Sequence, residues 1–386
     1  MNDIQLFIAC LVLAVWIYLI AFHGGFWLMR ERDDLDEPEP PRAWPSVTAI
    51  IPARDEAKLL PKSLGSLRAQ DYLGRFSIVL VDDRSSDGTA AAARLFADNA
   101  KFDVAIVSGQ ALPAGWAGKV WAMHQGVAHL ETSGDRPDYL LFTDADIEYA
   151  PDALRSLVTR AKHRNLVLTS IMAKLNCESF AARALIPAFV FFFQMLYPFS
   201  WVNRGTAKTA AAAGGCMLVD RRALERAGGI GKIRGALIDD CALAALLKAQ
   251  GPVWLGLSNR VRSLRAYPRL DNIRSMVARS AYAQLRYSPF LLIATILAMI
   301  FAYLAPPFFA VFGSFPANIL AFATCALMTL AYLPILQFYR ISPIWAVALP
   351  AIAAAYAAFT LDSAYQHWRG SGGLWKGRSQ ALAAKR

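Results

Sequence analysis

The placement of the apolar residues constrains this chain most. Residues 6–22 form an unbroken apolar run that Ile4 extends, and three more runs lie at 290–312, 317–338 and 344–361. Each falls within the roughly 17–25 residues that carry a helix across a bilayer. The chain is 56% hydrophobic over 386 residues, too apolar for an ordinary soluble protein of this size. The first run follows Met1-Asn2-Asp3, with no Lys or Arg, and precedes Arg30 and Arg32. A cleaved signal would begin with positive charge and end at a small-residue cleavage site. The run therefore reads as an uncleaved anchor, residues 4–22, with the chain after it in the cytoplasm by the positive-inside bias.

The region 290–361 reads as two to three spans. Four crossings in all would leave the tail outside, yet residues 362–386 carry Arg369, Lys376, Arg378, Lys385 and Arg386 against Asp362. Either one late span is re-entrant or the tail breaks the charge bias. The stretch 185–202 (LIPAFVFFFQMLYPFSWV) is apolar but interrupted by Pro187, Gln194 and Pro198, and reads as an interfacial helix. A net charge of +11, in a chain with spans, points to an anionic bilayer face rather than to nucleic acid. The five cysteines are scattered without metal-ligand or CxxC spacing, so reduced thiols are expected.

Between the spans the chain changes character. Residues 30–45 include RDDLDEPEPPRAWP, an acidic, Pro-rich linker without periodicity. From 46 to 260, short β-branched runs alternate with helical patterns. Strands are expected at 47–51, 77–81, 104–107, 139–142, 166–171 and 216–219, and helices at 56–70, 87–99, 119–130 and 151–162. Such alternation predicts an α/β domain, a parallel sheet covered by helices. Residues 261–288 then form a basic interfacial segment containing Arg262, Arg265, Arg269, Arg274, Arg279 and Arg286 with Asp271 as its one acid.

Ligands bind beyond the carboxyl ends of strands in such sheets, and three strands here deliver acids to that edge. The first is followed by Arg54-Asp55-Glu56, the second by Asp82-Asp83-Arg84-Ser85-Ser86-Asp87-Gly88, and the fourth by Thr143-Asp144-Ala145-Asp146. Clustered carboxylates cost several kcal/mol each unless a cation neutralises them. A divalent metal with an anionic ligand behind it would do so. Turn and N-cap duty would also account for Asp82 and Asp87.

These segments resemble family 2 glycosyltransferases of the GT-A fold, the Rossmann-like nucleotide-diphospho-sugar transferase fold. The matching stretches are IIPARDEA (50–57), VLVDDRSSDGT (79–89), GWAGKVWAMHQG (115–126), LLFTDADI (140–147), GGCMLVDRRALERAGGI (214–230) and IDDCALAALL (238–247). The resemblance implies an inverting, metal-dependent transferase acting on a nucleotide sugar, with a UDP-sugar as the leading donor. Glu56 and Asp83 (or Asp82) would contact the nucleoside, and Lys119 would lie near the diphosphate. Asp144 and Asp146 would bind Mg²⁺ or Mn²⁺, which take hard oxygen ligands. In the family an acidic pair supplies the base as its second member, which here is Asp240, with Asp239 replacing the more usual Glu. Gly214 and Gly215 would lie by the acceptor. Arg279 or Arg286 would contact diphosphate, although snorkelling at a membrane surface also explains such arginines.

Processive relatives carry Gln-x-x-Arg-Trp where this chain has Gln284-Leu285-Arg286-Tyr287, a departure that weighs against polymer synthesis. The chain as a whole is most similar to bacterial hopanoid-associated glycosyltransferases and more distantly to ceramide glucosyltransferases. That similarity implies a multi-pass protein of the bacterial inner membrane that glycosylates a lipid hydroxyl, possible acceptors being a hopanoid or a comparable lipid. Two other readings remain: a glycan-chain synthase of the same fold, and an inactive membrane scaffold.

Overall fold

The computed structural model describes residues 2–36, 38–98, 102–375 and 378–379. Two compact units result. Glu31–Asn176 and Trp201–Arg265 build one around an eight-stranded sheet. Met1–Arg30, Cys177–Ser200 and Ala266–Gly373 make the other, which is helical.

The sheet strands are β1 (Val47–Ala53), β2 (Phe76–Asp82), β3 (Val104–Ser108), β4 (Tyr139–Thr143), β5 (Ile147–Tyr149), β6 (Leu168–Lys174), β7 (Cys216–Asp220) and β8 (Val253–Ser263). Their order is β3-β2-β1-β4-β7-β6-β8-β5. Strands β1 to β4 pair in parallel, and β1 and β4 are buried along their whole length. This explains their nearly continuous apolar composition, which is usual for a strand covered on both faces. The helices between them bury one stripe each. In Leu60–Arg68 the buried positions are Leu60, Ser63, Leu64 and Leu67, the spacing of a single helix face.

The sheet is mixed rather than wholly parallel. Strand β7 runs antiparallel to both β4 and β6, and β5 runs antiparallel to β8. A parallel return needs a crossover of a dozen or more residues. Only Asp144-Ala145-Asp146 separates β4 from β5, so β5 leaves its predecessor and pairs at the far edge. The sequence reading contained neither β5 nor β8.

The acidic stretch at the entrance to this unit is tied down. Asp33 N donates to Leu257 O at 3.1 Å and Leu257 N to Glu31 O at 2.9 Å. Arg160, almost wholly buried, pairs with Asp36 and lies over the Trp254 ring at 4.3 Å.

Among the described residues of the helical unit, four helical segments are long and apolar enough to cross a membrane: Asp3–Ala21, Pro289–Phe312, Ala317–Tyr339 and Pro343–Trp368. Several polar groups on them are satisfied inside the unit. Trp16 Nε1 donates to Ala302 O at 2.8 Å, and Gln5 accepts from Ser314 N and Oγ. The second segment passes through a π-helical turn at Ile300–Leu304 just before Pro306-Pro307, where the prolines withhold backbone donors. The shorter apolar helix Phe180–Leu196 is capped by Ser179, whose Oγ accepts from Ala182 N at 3.0 Å. It ends one residue before Tyr197-Pro198. Of the basic tail read at 362–386, residues 376–377 and 380–386 lie outside the described residues.

Candidate active site

The loops after β1 and β2 are stitched to each other by side chains. Asp55 Oδ1 accepts from Ser86 N at 2.8 Å, and Asp55 N donates to Ser85 Oγ at 3.0 Å. Asp87 Oδ2 accepts from Ala57 N and its Oδ1 from Thr89 N, each at 3.0 Å. Glu56 N donates to Thr89 Oγ1 at 2.8 Å. Asp55 and Arg84 both hold positive φ, at 50° and 56°; the left-handed region is tolerated by Asp and costly for Arg. Asp87 works as a clasp. Burial acts to raise its carboxyl pKa, but the Thr89 hydroxyl and the backbone N–H groups of Ala57 and Thr89 hold it below the usual value.

Asp82 and Asp83 are adjacent in sequence but differ in access. Asp82 is half-buried and its Oδ1 accepts from Ser85 N at 3.3 Å. Asp83 is fully buried, and Arg54 Nη1 lies 3.6 Å from its Oδ2 and donates to its carbonyl at 2.6 Å. Of the pair, Asp82 therefore has the more accessible carboxylate. Gly109 passes so close that an added Cβ would sit 2.7 Å from Asp82 O.

The second cluster forms around the turn between β4 and β5. Lys119, in the first turn of the helix Gly118–Ser133, places Nζ 2.8 Å from Asp144 Oδ1 and 3.3 Å from Asp239 Oδ2. The approach to Asp239 is a charge contact. That oxygen is buried and, among the described residues, receives no hydrogen bond. Asp239 and Asp240 open the helix Asp239–Lys248, where the aligned peptide dipoles favour negative charge. Asp240 Oδ2 accepts from Gly214 N at 2.9 Å and Oδ1 from Cys241 N at 2.7 Å. Burial, then the neighbouring Asp239 charge, pushes the Asp240 carboxyl up to about 6, while Lys119 and the two backbone donors pull the other way. Lys119 is held well above the ordinary lysine value: burial opposes this, and Asp144 and Asp239 outweigh it.

Gly214 is required by proximity. A Cβ there would lie 2.9 Å from Lys119 Nζ and 3.3 Å from Asp240 Oδ2. At Gly215 it would meet Ile147 Cδ1 at 3.0 Å, a packing constraint beneath the cluster. Asp146 is nearly buried and points at a different cation. Arg265 Nε donates to Asp146 Oδ2 at 2.8 Å, and Arg265 Nη2 to Glu56 Oε1 at 2.8 Å. Glu148 lies outside this arrangement, paired with Arg262 and with Lys62 at 3.5 Å.

The structure thus brings Glu56, Lys119, Asp144, Asp146, Gly214, Asp239 and Asp240 into two linked ion-pair groups at the carboxyl edge of the sheet. Arg279 and Arg286 belong to the helical unit. Arg265 is the site residue the sequence reading did not single out; it stood among six arginines of one basic segment. Its placement follows from β5–β8 pairing, with Ile147 opposite Ser263 and Leu264 N donating to Asp146 O at 2.8 Å.

No group of three or more His, Cys, Asp or Glu among the described residues is arranged to hold a metal ion. Asp144 and Asp146 nonetheless offer oxygen donors only, with one residue between them. Mg²⁺ is commonly held by one or two carboxylates completed by phosphates and water. The donor set therefore fits a hard divalent ion accompanied by a diphosphate.

Residues 48–228 match the model of the family described as Glycosyl transferase family 2. A 4,4'-diaponeurosporenoate glycosyltransferase of Staphylococcus haemolyticus (strain JCSC1435) is 33% identical over 126 residues, 32% of this chain and 31% of that protein. An N-acetylglucosaminyltransferase of Rhizobium leguminosarum bv. viciae is 34% identical over 121 residues, 31% of this chain and 26% of that protein. The chain thus spans about a third or less of the length of these curated relatives. Among solved structures, the mannosyltransferase PcManGT from Pyrobaculum calidifontis, in complex with GDP-Man and Mn²⁺, superposes with a TM-score of 0.53 at 21% identity. The match covers 91% of this chain and 99% of that one, a likeness of fold. The family match thus runs over the strands that carry the acids, and the eight-stranded sheet has a GT-A-like α/β fold.

Proposed function

We propose that this protein transfers a sugar, with inversion, from a nucleoside diphosphate sugar to the hydroxyl of a membrane lipid. The observation that carries the reading is the convergence of Asp240, raised to about 6, with Lys119 and Asp144 across the edge of the sheet. A base for this chemistry must be ionised near neutral pH yet able to keep a proton. Asp240 meets both conditions: a little above its pKa it is ionised, and it remains basic enough to accept.

The acceptor hydroxyl gives its proton to Asp240 as its oxygen bonds to the anomeric carbon. The bond from that carbon to the diphosphate oxygen breaks on the opposite face, which inverts the configuration. Gly214 N holds Asp240 in orientation, and Lys119 places a positive charge at the diphosphate end. Asp144 and Asp146 would hold Mg²⁺ or Mn²⁺, which when bound supplies further positive charge for the departing nucleoside diphosphate. Glu56 and the half-buried Asp82 would contact the nucleoside, on loops already fixed by their mutual hydrogen bonds.

A UDP-sugar is the donor we favour; GDP-Man and Mn²⁺ accompany the PcManGT structure. A lipid acceptor is supported by four helices able to cross a membrane in the same chain, and a hopanoid by the overall resemblance. The protein would then lie in a bacterial inner membrane with the sheet unit in the cytoplasm.

The test is direct. Protein purified in detergent is incubated with UDP- and GDP-sugars, Mg²⁺ or Mn²⁺, and total lipid from a hopanoid-producing bacterium, with product identified by mass spectrometry. The expected outcome is a metal-dependent glycolipid that Asp146→Ala and Asp240→Ala proteins do not make. Nucleotide release without glycolipid would reject the lipid acceptor. Absence of both with every donor would reject the transferase reading in favour of a scaffold.

A further inference from the structure

Each acid of the Asp144-Ala145-Asp146 turn carries a cation in this structure, but the two cations differ. Lys119 is largely enclosed, with its side chain 16% exposed, and is shared by Asp144 and Asp239. Arg265 is 42% exposed, while the acids it bridges, Asp146 and Glu56, are about 10% and 9% exposed. The guanidinium reaches them through separate donors, Nε and Nη2. It sits just past the end of β8, followed by residues 266–269 that belong to no helix or strand.

We infer that Arg265 is a displaceable counter-cation that couples metal binding at Asp146 to binding of the nucleoside diphosphate. This rests on the metal and donor reading above. Asp146 Oδ2 directs electron density at Arg265 Nε–H, so a metal that uses this oxygen must displace the arginine. Arg265 itself loses little by leaving, since water reaches it. The carboxylates lose more, because a nearly buried pair of acids without a cation is strongly unfavourable. The exchange is therefore poised to occur when a divalent ion arrives at Asp146 as the guanidinium leaves. A diphosphate supplies the released guanidinium with new charged acceptors, matched to its fork of donors. Metal without nucleotide must break the Arg265 contacts unaided. By reciprocity, metal must tighten nucleotide binding by the same factor that nucleotide tightens metal binding.

The test measures Mn²⁺ binding by the loss of the free-ion EPR signal, on the full chain in detergent. Titrations are run without nucleotide, with UDP and with GDP, on unmutated, Arg265→Gln, Arg265→Lys and Asp146→Ala proteins. In the unmutated protein one of the two nucleotides should tighten Mn²⁺ by about 5- to 100-fold, the usual range of such coupling. Arg265→Gln should bind Mn²⁺ alone more tightly by a similar factor and lose most of the nucleotide effect. Arg265→Lys, a point charge without the fork, should fall between and serves if the Gln variant does not fold. Asp146→Ala should not bind. Equal Mn²⁺ affinity in the unmutated and Arg265→Gln proteins without nucleotide, with unchanged coupling, would overturn the inference alone. No Mn²⁺ binding in any protein, with or without nucleotide, would overturn it together with the metal reading on which it rests.

Discussion

Two stretches of one sheet edge hold their carboxylates by different means. Beyond β1 and β2, Asp55 and Asp87 are bound mainly by backbone N–H groups and hydroxyls, while Glu56 shares Arg265 with the second stretch and Asp83 lies beside Arg54. Beyond β4, Asp144, Asp146 and Asp239 are bound mainly by the ammonium of Lys119 and the guanidinium of Arg265. The first arrangement is internal to the fold and has no reason to change when ligand arrives. The second is a balance of side-chain charges that, on the proposed function, a metal and a diphosphate would replace. A site that must recognise a nucleoside benefits from a rigid cradle. A site that must accept and release charge in every turnover benefits from exchangeable partners.

The largest effect that would test this contrast is at the base. Asp240→Asn should lower turnover about 10²–10⁴-fold while nucleotide affinity, read by UDP or GDP titration, stays within about twofold. A loss of less than tenfold would remove Asp240 from the role of base. The pH profile follows from its raised pKa. If Asp240 is the base as proposed, the working form is the carboxylate, so kcat/KM should be maintained above about 6 and fall roughly tenfold per pH unit below it. Stability moves in the opposite sense. A carboxyl raised in the folded state contributes stability below its ordinary value of 3.8 and loses that contribution as pH rises through about 6. Asp240→Asn should therefore melt higher than the unmutated protein at pH 7.5, with the difference gone near pH 4. A flat melting difference across that range would place the raised pKa elsewhere.

Gly214→Ala should have a smaller effect. Its Cβ would press on the end of Lys119 and on Asp240, and the lysine end can yield. Activity should drop about tenfold with thermal stability changed by less than about 1 kcal/mol; an unfolded variant would make Gly214 a structural residue. The smallest expected effect lies on the hydrogen-bonded side. Asp87→Ala removes the acceptor for Ala57 N and Thr89 N and should cost about 1 kcal/mol or slightly more in stability. Nucleotide affinity should fall with it, and the metal dependence should not change. A shift in metal dependence instead would erase the distinction between the two stretches.

Much of this was legible from local sequence. The strands around β1, β2 and β4 announce themselves because strands buried on both faces are usually apolar along nearly their whole length. The acids that follow them are conspicuous for the same reason. The pairing of β5 with β8 was not legible, since a three-residue strand after a turn has no pattern long enough to read. Arg265 was hidden with it: nothing in the sequence separates it from Arg262 or Arg269 until the register opposes Ser263 to Ile147. The contrast between Asp82 and Asp83 was likewise invisible, because it depends on Arg54 lying beside the second acid.

By itself the sequence determined that four stretches are apolar enough to leave water, and that acids close three sheet strands at one edge. Both are properties of composition and period, which act locally. Only the tertiary structure decided which cation meets which acid, that Asp87 is a clasp, and that Lys119 and Asp240 converge on Gly214. Those are outcomes of strand order and register, where residues more than a hundred positions apart come within 3 Å. Their charges then set one another's energies through distance and burial, neither of which a linear pattern contains.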